Sequence, residues 1–316
     1  MPRLMIVDGN NQYLRAFIVN PTLSTNGQPI GGVVGTLKIL QKLCKQTNPD
    51  QIIIVWDGEG GSSKRKLMNK NYKDGRSPIR LNRDVRNLTE NEEIENKIWQ
   101  QTRLVDYLNQ LPVIQLLYPS IEADDLISYV AKHPHYQDWQ KVIVSSDKDF
   151  IQLINDKTIL FRPIQEELLN IKRVLEKYKI HPNNFVLARA MTGDDSDNIK
   201  GIHGIGLATV AKRLPMLIEE KAYFTDDIIA YSQNKEGKAY ENIASSSEVI
   251  ESNYRLMQLT APQISIQTKT LIDNILNNFK PEFNQMEFKK MSIQDGIGIV
   301  DFGILFSTMK RFITNK

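Results

Sequence analysis

Residues 4–9 read Leu4-Met5-Ile6-Val7-Asp8-Gly9, an apolar run that ends in a carboxylate and a glycine. Residues 52–56, 113–118 and 142–145 are also short runs of mostly apolar residues. Runs that are apolar nearly throughout are typical of parallel strands buried on both faces. The pattern therefore predicts four parallel strands, and residues 159–161 predict a fifth.

Helical patterns at residues 35–45 and 94–111 separate these strands, which indicates βαβ units. The predicted fold class is α/β, with a central, mostly parallel sheet flanked by helices. After about residue 165 the sequence pattern becomes mainly helical, with predicted helices at 168–178, 182–192 and 208–219. We expect an α/β core over residues 1–165 and a helical part over residues 166–316, with a mobile surface segment around 232–247.

The composition is that of an ordinary globular protein. Of 316 residues, 41% are hydrophobic and 24% charged, which excludes long-range disorder and fibrous folds. The single cysteine, Cys44, excludes an internal disulfide and suits a reducing compartment. No apolar run reaches the roughly 18–20 residues that span a bilayer. These features predict a cytoplasmic protein without a membrane segment.

Positive charge is concentrated in one segment. Residues 62–86 carry nine Lys or Arg against two Asp, a net +7, so the rest of the chain carries −4. The run also contains Tyr72 and forms an insertion, about residues 59–93, between the second strand and the helix that follows. Such a run is often only a solvated surface. Beside a sheet edge, however, it is a candidate for binding a polyphosphate.

Acidic residues follow all four predicted strands. Asp8 and Asp57 end the first two, Glu122-Ala123-Asp124-Asp125 follows the third, and Ser146-Asp147-Lys148-Asp149 follows the fourth. Each alone is explained by turns and helix starts. The carboxyl ends of parallel strands share one edge, however, where ligands bind. We therefore expect six or seven carboxylates close together.

Crowded carboxylates raise one another's pKa, and divalent cations are their natural complement. The residues near these loops offer only oxygen ligands, which favours Mg²⁺ or Mn²⁺ over zinc. More carboxylates than one ion needs indicates two metal ions, the arrangement used in phosphoryl displacement.

A second acidic stretch, Gly193-Asp194-Asp195-Ser196-Asp197-Asn198, opens the helical part and leads into glycines at 201, 204 and 206. Three glycines before a helix start predict a tight hairpin with bare backbone amides. Such amides suit a phosphate group, although a simple glycine-rich turn would look the same.

The motifs, in this order, resemble the 5′-nuclease (flap endonuclease) family. They are most similar to its bacteriophage enzymes and to the 5′-nuclease domain of bacterial DNA polymerase I. The matching pieces include Val7-Asp8-Gly9, Trp56-Asp57-Gly58, Tyr72-Lys73-Asp74-Gly75-Arg76 and Gly193-Asp194-x-Ser196-Asp197-Asn198. They cover roughly residues 4–213.

The resemblance implies a PIN-like nuclease core with a helical arch at the basic insertion and a helix-three-turn-helix at about 193–213. It implies that Lys73 and Arg76 act on the scissile phosphate, and that potassium binds the helix-three-turn-helix. The first metal would be held by Asp8, Asp57, Glu122 and Asp124, with Asp125 close by, and the second by Asp147, Asp149, Asp194 and Asp197. DNA would contact Arg65, Tyr72, Arg80, Arg83, Lys200, Gly201, Gly204, Gly206 and Lys212.

Two positions depart from the family pattern. Ala208 stands where the hairpin usually carries a lysine, so Lys200 or Lys212 would have to compensate. Lys70 stands where a proline often precedes the tyrosine.

The function that these features predict is hydrolysis of phosphodiester bonds near 5′ ends at junctions between duplex and single strand. The substrate would be DNA with a 5′ flap or overhang, with RNA primers or RNA/DNA hybrids also compatible. Two alternatives remain: a PIN-like ribonuclease that cuts single-stranded RNA, and a structure-specific DNA-binding protein without catalysis. We expect a monomer. A single-strand binding protein or a polymerase would suit it as a partner, but the sequence identifies neither.

Overall fold

The computed structural model describes residues 1–75, 80–81, 88–298 and 300–314. Its central sheet has six strands in the order β3-β2-β1-β4-β5-β6. Five are parallel, and β6 pairs antiparallel with β5. The strands are β1 Arg3–Asp8, β2 Gln51–Val55, β3 Ile114–Leu116, β4 Gln140–Val144, β5 Thr158–Arg162 and β6 Glu167–Leu169. The predicted α/β class is confirmed.

Helices cover both faces of this sheet and make up most of the remaining chain. Those up to residue 192 are α1 Gly9–Val19, α2 Gly31–Thr47, α3 Ser63–Met68, α4 Glu90–Asn109, α5 Ala123–Ala131, α6 Ile171–Tyr178 and α7 Pro182–Thr192. A two-stranded hairpin follows, formed by β7 Gly193–Asp194 and β8 Ile199–Lys200. The later helices are α8 Leu207–Arg213, α9 Thr225–Gln233, α10 Lys238–Ala244, α11 Ser247–Met257, α12 Ile266–Asn278, α13 Gln285–Gln294 and α14 Gly303–Thr314.

β1 lies at the centre of the sheet and supplies both cores. Leu4 and Ile6 point to one face, where they join a buried cluster that extends to Leu276 in α12. Met5 and Val7 point to the other face, whose cluster includes Phe288 of α13. Both faces of the strand are buried, which explains why its sequence is apolar rather than alternating. The helical part of the chain thus packs on both sides of the sheet.

Three predicted boundaries differ from the structure. Residues 167–169 form the edge strand β6, and α6 begins only at Ile171, because the side chain of Asn170 caps it by accepting the Arg173 N–H. α8 ends at Arg213, since Pro215 lacks the N–H that would continue the helix. The segment around 232–247, expected to be a mobile surface segment, includes α10.

Helix α4 begins earlier than the apolar pattern predicted. Thr89 and Glu92 form a capping box, in which each side chain bonds the other residue's backbone N–H. This cap starts the helix at Glu90 instead of 94. The predicted domain boundary near residue 165 stays a prediction, although β6 continues the sheet beyond it. In the described ranges, no helix is long and apolar enough to cross a membrane.

The packing of α13 on the sheet generates a stability prediction. Phe288 is fully buried and contacts the rings of Tyr107, Phe302 and Phe306. We expect Phe288→Ala to lower the free energy of unfolding in urea by about 3–5 kcal/mol, because it leaves a cavity in the core. Phe224→Ala is the matched control, since Phe224 is 62% exposed. It should change the free energy of unfolding by less than about 0.5 kcal/mol. Equal losses of unfolding free energy in the two variants would contradict the packing of α13 as part of the core.

Candidate active site

The acidic residues that follow β1 and β2 meet at the carboxyl edge of the sheet. Asp8 caps α1, with Oδ1 accepting the Asn11 N–H at 3.0 Å and Oδ2 accepting the Ser145 hydroxyl at 2.8 Å. Asp57 accepts the Ala123 N–H at 2.8 Å and the Asn10 amide at 2.7 Å. These bonds join the loops after β1, β2, β3 and β4 at one edge of the sheet.

Burial and neighbouring carboxylates act on three acidic residues at this edge. Burial, followed by repulsion from Asp57 and Asp147, raises the pKa of Asp8 to about 7. Burial and repulsion from Asp147 likewise raise the pKa of Asp149 to about 7. The pKa of Asp124 also lies well above its usual value, first because of burial and then because of Asp147.

Basic side chains form ion pairs with some of the acidic residues at this edge. Arg65, from α3, is 5% exposed and contacts both Glu122 Oε2 and, at 3.1 Å, Asp125 Oδ2. The Lys73 ammonium lies 2.5 Å from Glu122 Oε1. Despite its burial, these two cations hold the pKa of Glu122 below its usual value.

Asp125 is engaged on both carboxylate oxygens. Oδ2 faces Arg65, and Oδ1 accepts the backbone N–H of Gln263 at 3.2 Å. Arg65 Nε also donates to the carbonyl of Leu256 at 3.0 Å. In this arrangement Asp125 connects α3, α5 and the segment after α11, and shares Arg65 with Glu122.

Arg189 is a site residue that the sequence reasoning missed. It lies on α7, where it contacts Asp149 at 3.0 Å, Asp194, and the carbonyl of Gly193 at 3.1 Å. It therefore partly neutralises the second acidic group. The sequence signal that could have identified Arg189 is a single charged residue within an otherwise apolar predicted helix. The other residues of that stretch, 185–191, are buried in the structure.

Two residues predicted to bind DNA are placed differently by the structure. Tyr72 is 3% exposed and packs with Val186, Ile199 and Met257, while its hydroxyl faces Glu122 at 3.4 Å. A ring so enclosed offers no face for stacking on a base, which corrects that expectation. Arg65 is similarly enclosed, because the buried carboxylates hold it.

The remaining predicted DNA contacts differ in accessibility. Lys200, Gly204, Gly206 and Lys212 are exposed, and Arg80 is exposed with its guanidinium 2.7 Å from Glu93. Gly201 is less accessible, since a Cβ there would lie 2.1 Å from the Thr192 carbonyl oxygen. Its role in this structure is to let β8 approach α7. Arg76 and Arg83 lie outside the described residues, as does much of the predicted arch.

The donor set fits a hard divalent cation, because it consists of carboxylate oxygens. In Asp8, Asp124 and Asp149, burial and then repulsion from neighbouring carboxylates raise the pKa. Within the part of the chain that the structure describes, no three His, Cys, Asp or Glu side chains converge closely enough to hold an ion as placed. Some of the acidic residues form ion pairs with basic side chains. Glu122 and Asp194 turn toward Arg65, Lys73 or Arg189.

Comparisons with known proteins agree with this architecture. The family model of the 5′-3′ exonuclease N-terminal resolvase-like domain matches residues 3–179. A 5′-3′ exonuclease of Aquifex aeolicus is 27% identical over 92% of this chain and 94% of its own length. A thermostable DNA polymerase I of Thermus filiformis is 31% identical over 67% of this chain, a match that covers 23% of the polymerase.

Among solved structures, the bacteriophage T5 D15 flap endonuclease, in a complex with DNA and metal ions, has a TM-score of 0.64 at 20% identity. The match covers 93% of this chain and 97% of that one. This likeness concerns the fold. Taken with the family model, which spans more than half of the sequence, it leads to one conclusion. The chain belongs to the 5′-3′ exonuclease family.

The buried ion pairs of Arg65 generate a stability prediction. We expect Arg65→Met to lower the free energy of unfolding by about 3–5 kcal/mol, because it leaves Asp125 buried without its cation and Glu122 with Lys73 alone. Lys66→Met is the matched control: Lys66 is exposed and lies 3.9 Å from Asp74, so its loss should cost at most about 1 kcal/mol. Urea denaturation of the two variants in chelator makes the comparison. An Arg65→Met protein as stable as Lys66→Met would contradict the role of this ion pair.

Proposed function

We propose that this protein is a metal-dependent 5′ nuclease that cleaves DNA near free 5′ ends, at junctions between duplex and single strand. The observation that carries the proposal is the gathering of carboxylates with raised pKa values at one sheet edge, in a chain of the 5′-3′ exonuclease family. The similar T5 flap endonuclease was crystallised with both DNA and metal ions, which supports the same substrate and cofactor class.

Two Mg²⁺ ions, replaceable by Mn²⁺, are the proposed cofactors. Asp8, Asp57, Glu122 and Asp124 would hold the first, and Asp147, Asp149, Asp194 and Asp197 the second. When bound, such ions activate water and offset the negative charge that develops on the phosphate. Glu122 would have to share its charge with Arg65 and Lys73, which contact it in the structure. A potassium ion at the helix-three-turn-helix is proposed from the family resemblance.

The chain's own residues then have distinct tasks. Exposed Lys200 and Lys212 would hold duplex backbone through contacts that do not depend on base sequence. Lys73 lies beside the acidic edge, where its ammonium would stabilise charge on the reacting phosphate, together with Arg76. The products would be a 5′-phosphate and a 3′-hydroxyl. Action on RNA primers, a role in replication or repair, a monomeric state and a cytoplasmic location belong to the same proposal.

Metal and substrate can be tested together with a labelled 5′-flap DNA. We expect cleavage in Mg²⁺ or Mn²⁺, none in EDTA, and far slower cutting of a circular single strand, which has no free 5′ end. Asp57→Asn should abolish cleavage and leave binding intact, since removing negative charge does not weaken attraction to phosphate. Asp50→Asn, the same change at the opposite end of β2, should cleave normally.

The other outcomes have defined meanings. Equal cutting of the circle would favour the PIN-like ribonuclease, and flap binding without cleavage in either metal would favour a non-catalytic DNA-binding protein. Full cleavage in EDTA would overturn the metal-dependent mechanism.

A second prediction separates catalysis from binding at Lys73. We expect Lys73→Ala to slow single-turnover cleavage about a hundredfold, the scale of losing one preorganised charge-stabilising group, with the dissociation constant changed only a few-fold. Lys70→Ala is the control, because Lys70 is an exposed cation three residues away. It should weaken binding slightly and leave the rate at saturating enzyme normal. A parental rate for saturated Lys73→Ala would remove its catalytic assignment.

A further inference from the structure

Two turns that are distant in sequence meet beside the acidic edge. We call residues 69–75 the lysine turn; it follows α3 and contains Lys73. We call residues 195–198 the acidic turn; it joins β7 to β8 and ends at Asn198. The lysine turn closes through the Tyr72 N–H, which donates to the Asn69 carbonyl at 2.9 Å.

Two hydrogen bonds join these turns. The backbone N–H of Lys73 donates to the Asp197 carbonyl at 2.9 Å. The side-chain amide of Asn198 donates to the Asn71 carbonyl at 3.0 Å. The bonds therefore flank Tyr72, whose buried ring packs with Ile199 of β8, directly after the acidic turn, and with Val186 and Met257.

The backbone of Lys73 needs such support. Its φ is +58°, in the left-handed region, which costs a non-glycine residue roughly 1–2 kcal/mol. Strained backbone of this kind persists only where the surroundings over-determine it. The consequence of this conformation is the position of the side chain, whose ammonium reaches Glu122 Oε1 at 2.5 Å.

We propose that Asn198 is a positioning residue for Lys73: its amide holds the lysine turn on the acidic turn, so that the ammonium faces the acidic edge. The inference rests on the proposed function, in which Lys73 acts on the reacting phosphate. It also joins two tasks, because the acidic turn is continuous through β8 with the glycine hairpin that would hold the duplex. The two hydrogen bonds between the turns would thereby set the position of Lys73 relative to a duplex held by the hairpin.

The test is a double-mutant cycle on the full chain with a 5′-flap DNA in Mg²⁺. Asn198 has φ +55°, so Asn198→Gly keeps the backbone conformation accessible and removes only the amide. We expect about a tenfold slower single-turnover rate at saturating enzyme, because a small misplacement of a catalytic group is costly, with the dissociation constant within about twofold of the parent. The double variant Lys73→Ala/Asn198→Gly should be no slower than Lys73→Ala, since Asn198 acts through the lysine.

Asn48→Gly is the matched control. Asn48 also has a positive φ of +45°, and it lies at the opposite end of β2 from the acidic edge. Its glycine variant should cleave at the parental rate. Asn198→Asp is the second variant should the glycine destabilise the fold: it keeps the side-chain shape, but an ionised carboxylate has no hydrogen to donate, so we expect at least the same loss.

The outcomes separate the two levels of the proposal. A parental rate for both Asn198 variants, or effects of Asn198→Gly and Lys73→Ala that multiply in the double variant, would overturn the positioning role and leave the nuclease proposal standing. A parental rate for Lys73→Ala would overturn the catalytic assignment of the lysine, and the positioning role with it.

Discussion

Repulsion among carboxylates at the carboxyl edge of the sheet is the constraint on which much of this structure depends. Parallel strands bring their acidic ends together, and burial then raises the pKa of Asp8 and Asp149. The fold compensates with cations from other elements. Arg65 and Lys73 approach from the segment after β2, and Arg189 from α7. The helical part of the chain is thereby tied to the sheet at the site itself.

This compensation has a consequence for function. Lys73 is one of the cations that neutralise the acidic edge, and it is also the side chain proposed to act on the phosphate. The same positive charge would therefore contribute to stability and to activity. Glu122 contacts both Arg65 and Lys73, and so links a buried structural cation to the one for which we propose a catalytic role. Cations bound at the edge would compete for the same carboxylate oxygens. The lysine turn, which carries Lys73, is joined to the acidic turn by a backbone hydrogen bond and by the side-chain amide of Asn198.

Much of the architecture and the site could be predicted from local patterns. The apolar runs gave the parallel strands because burial on both faces removes alternation, and their acidic ends gave the sheet edge where Asp8 and Asp57 meet. Boundaries were less predictable: the capping box at Thr89 lengthened α4, and the cap at Asn170 left residues 167–169 free to form β6. Such outcomes depend on pairings that hydrophobic periodicity does not report.

The sequence by itself determined the fold class, the family and the acidic edge, since each follows from residue type and order along the chain. Only the tertiary structure decided which charges pair. Arg65 and Tyr72 belong to a basic run that reads as exposed, yet both are buried against Glu122. Arg189 entered the site because α7 packs beside Asp149, 40 residues away in the chain. Pairing between charges depends on distance in space, and spacing along the chain does not specify that distance for residues on separate elements.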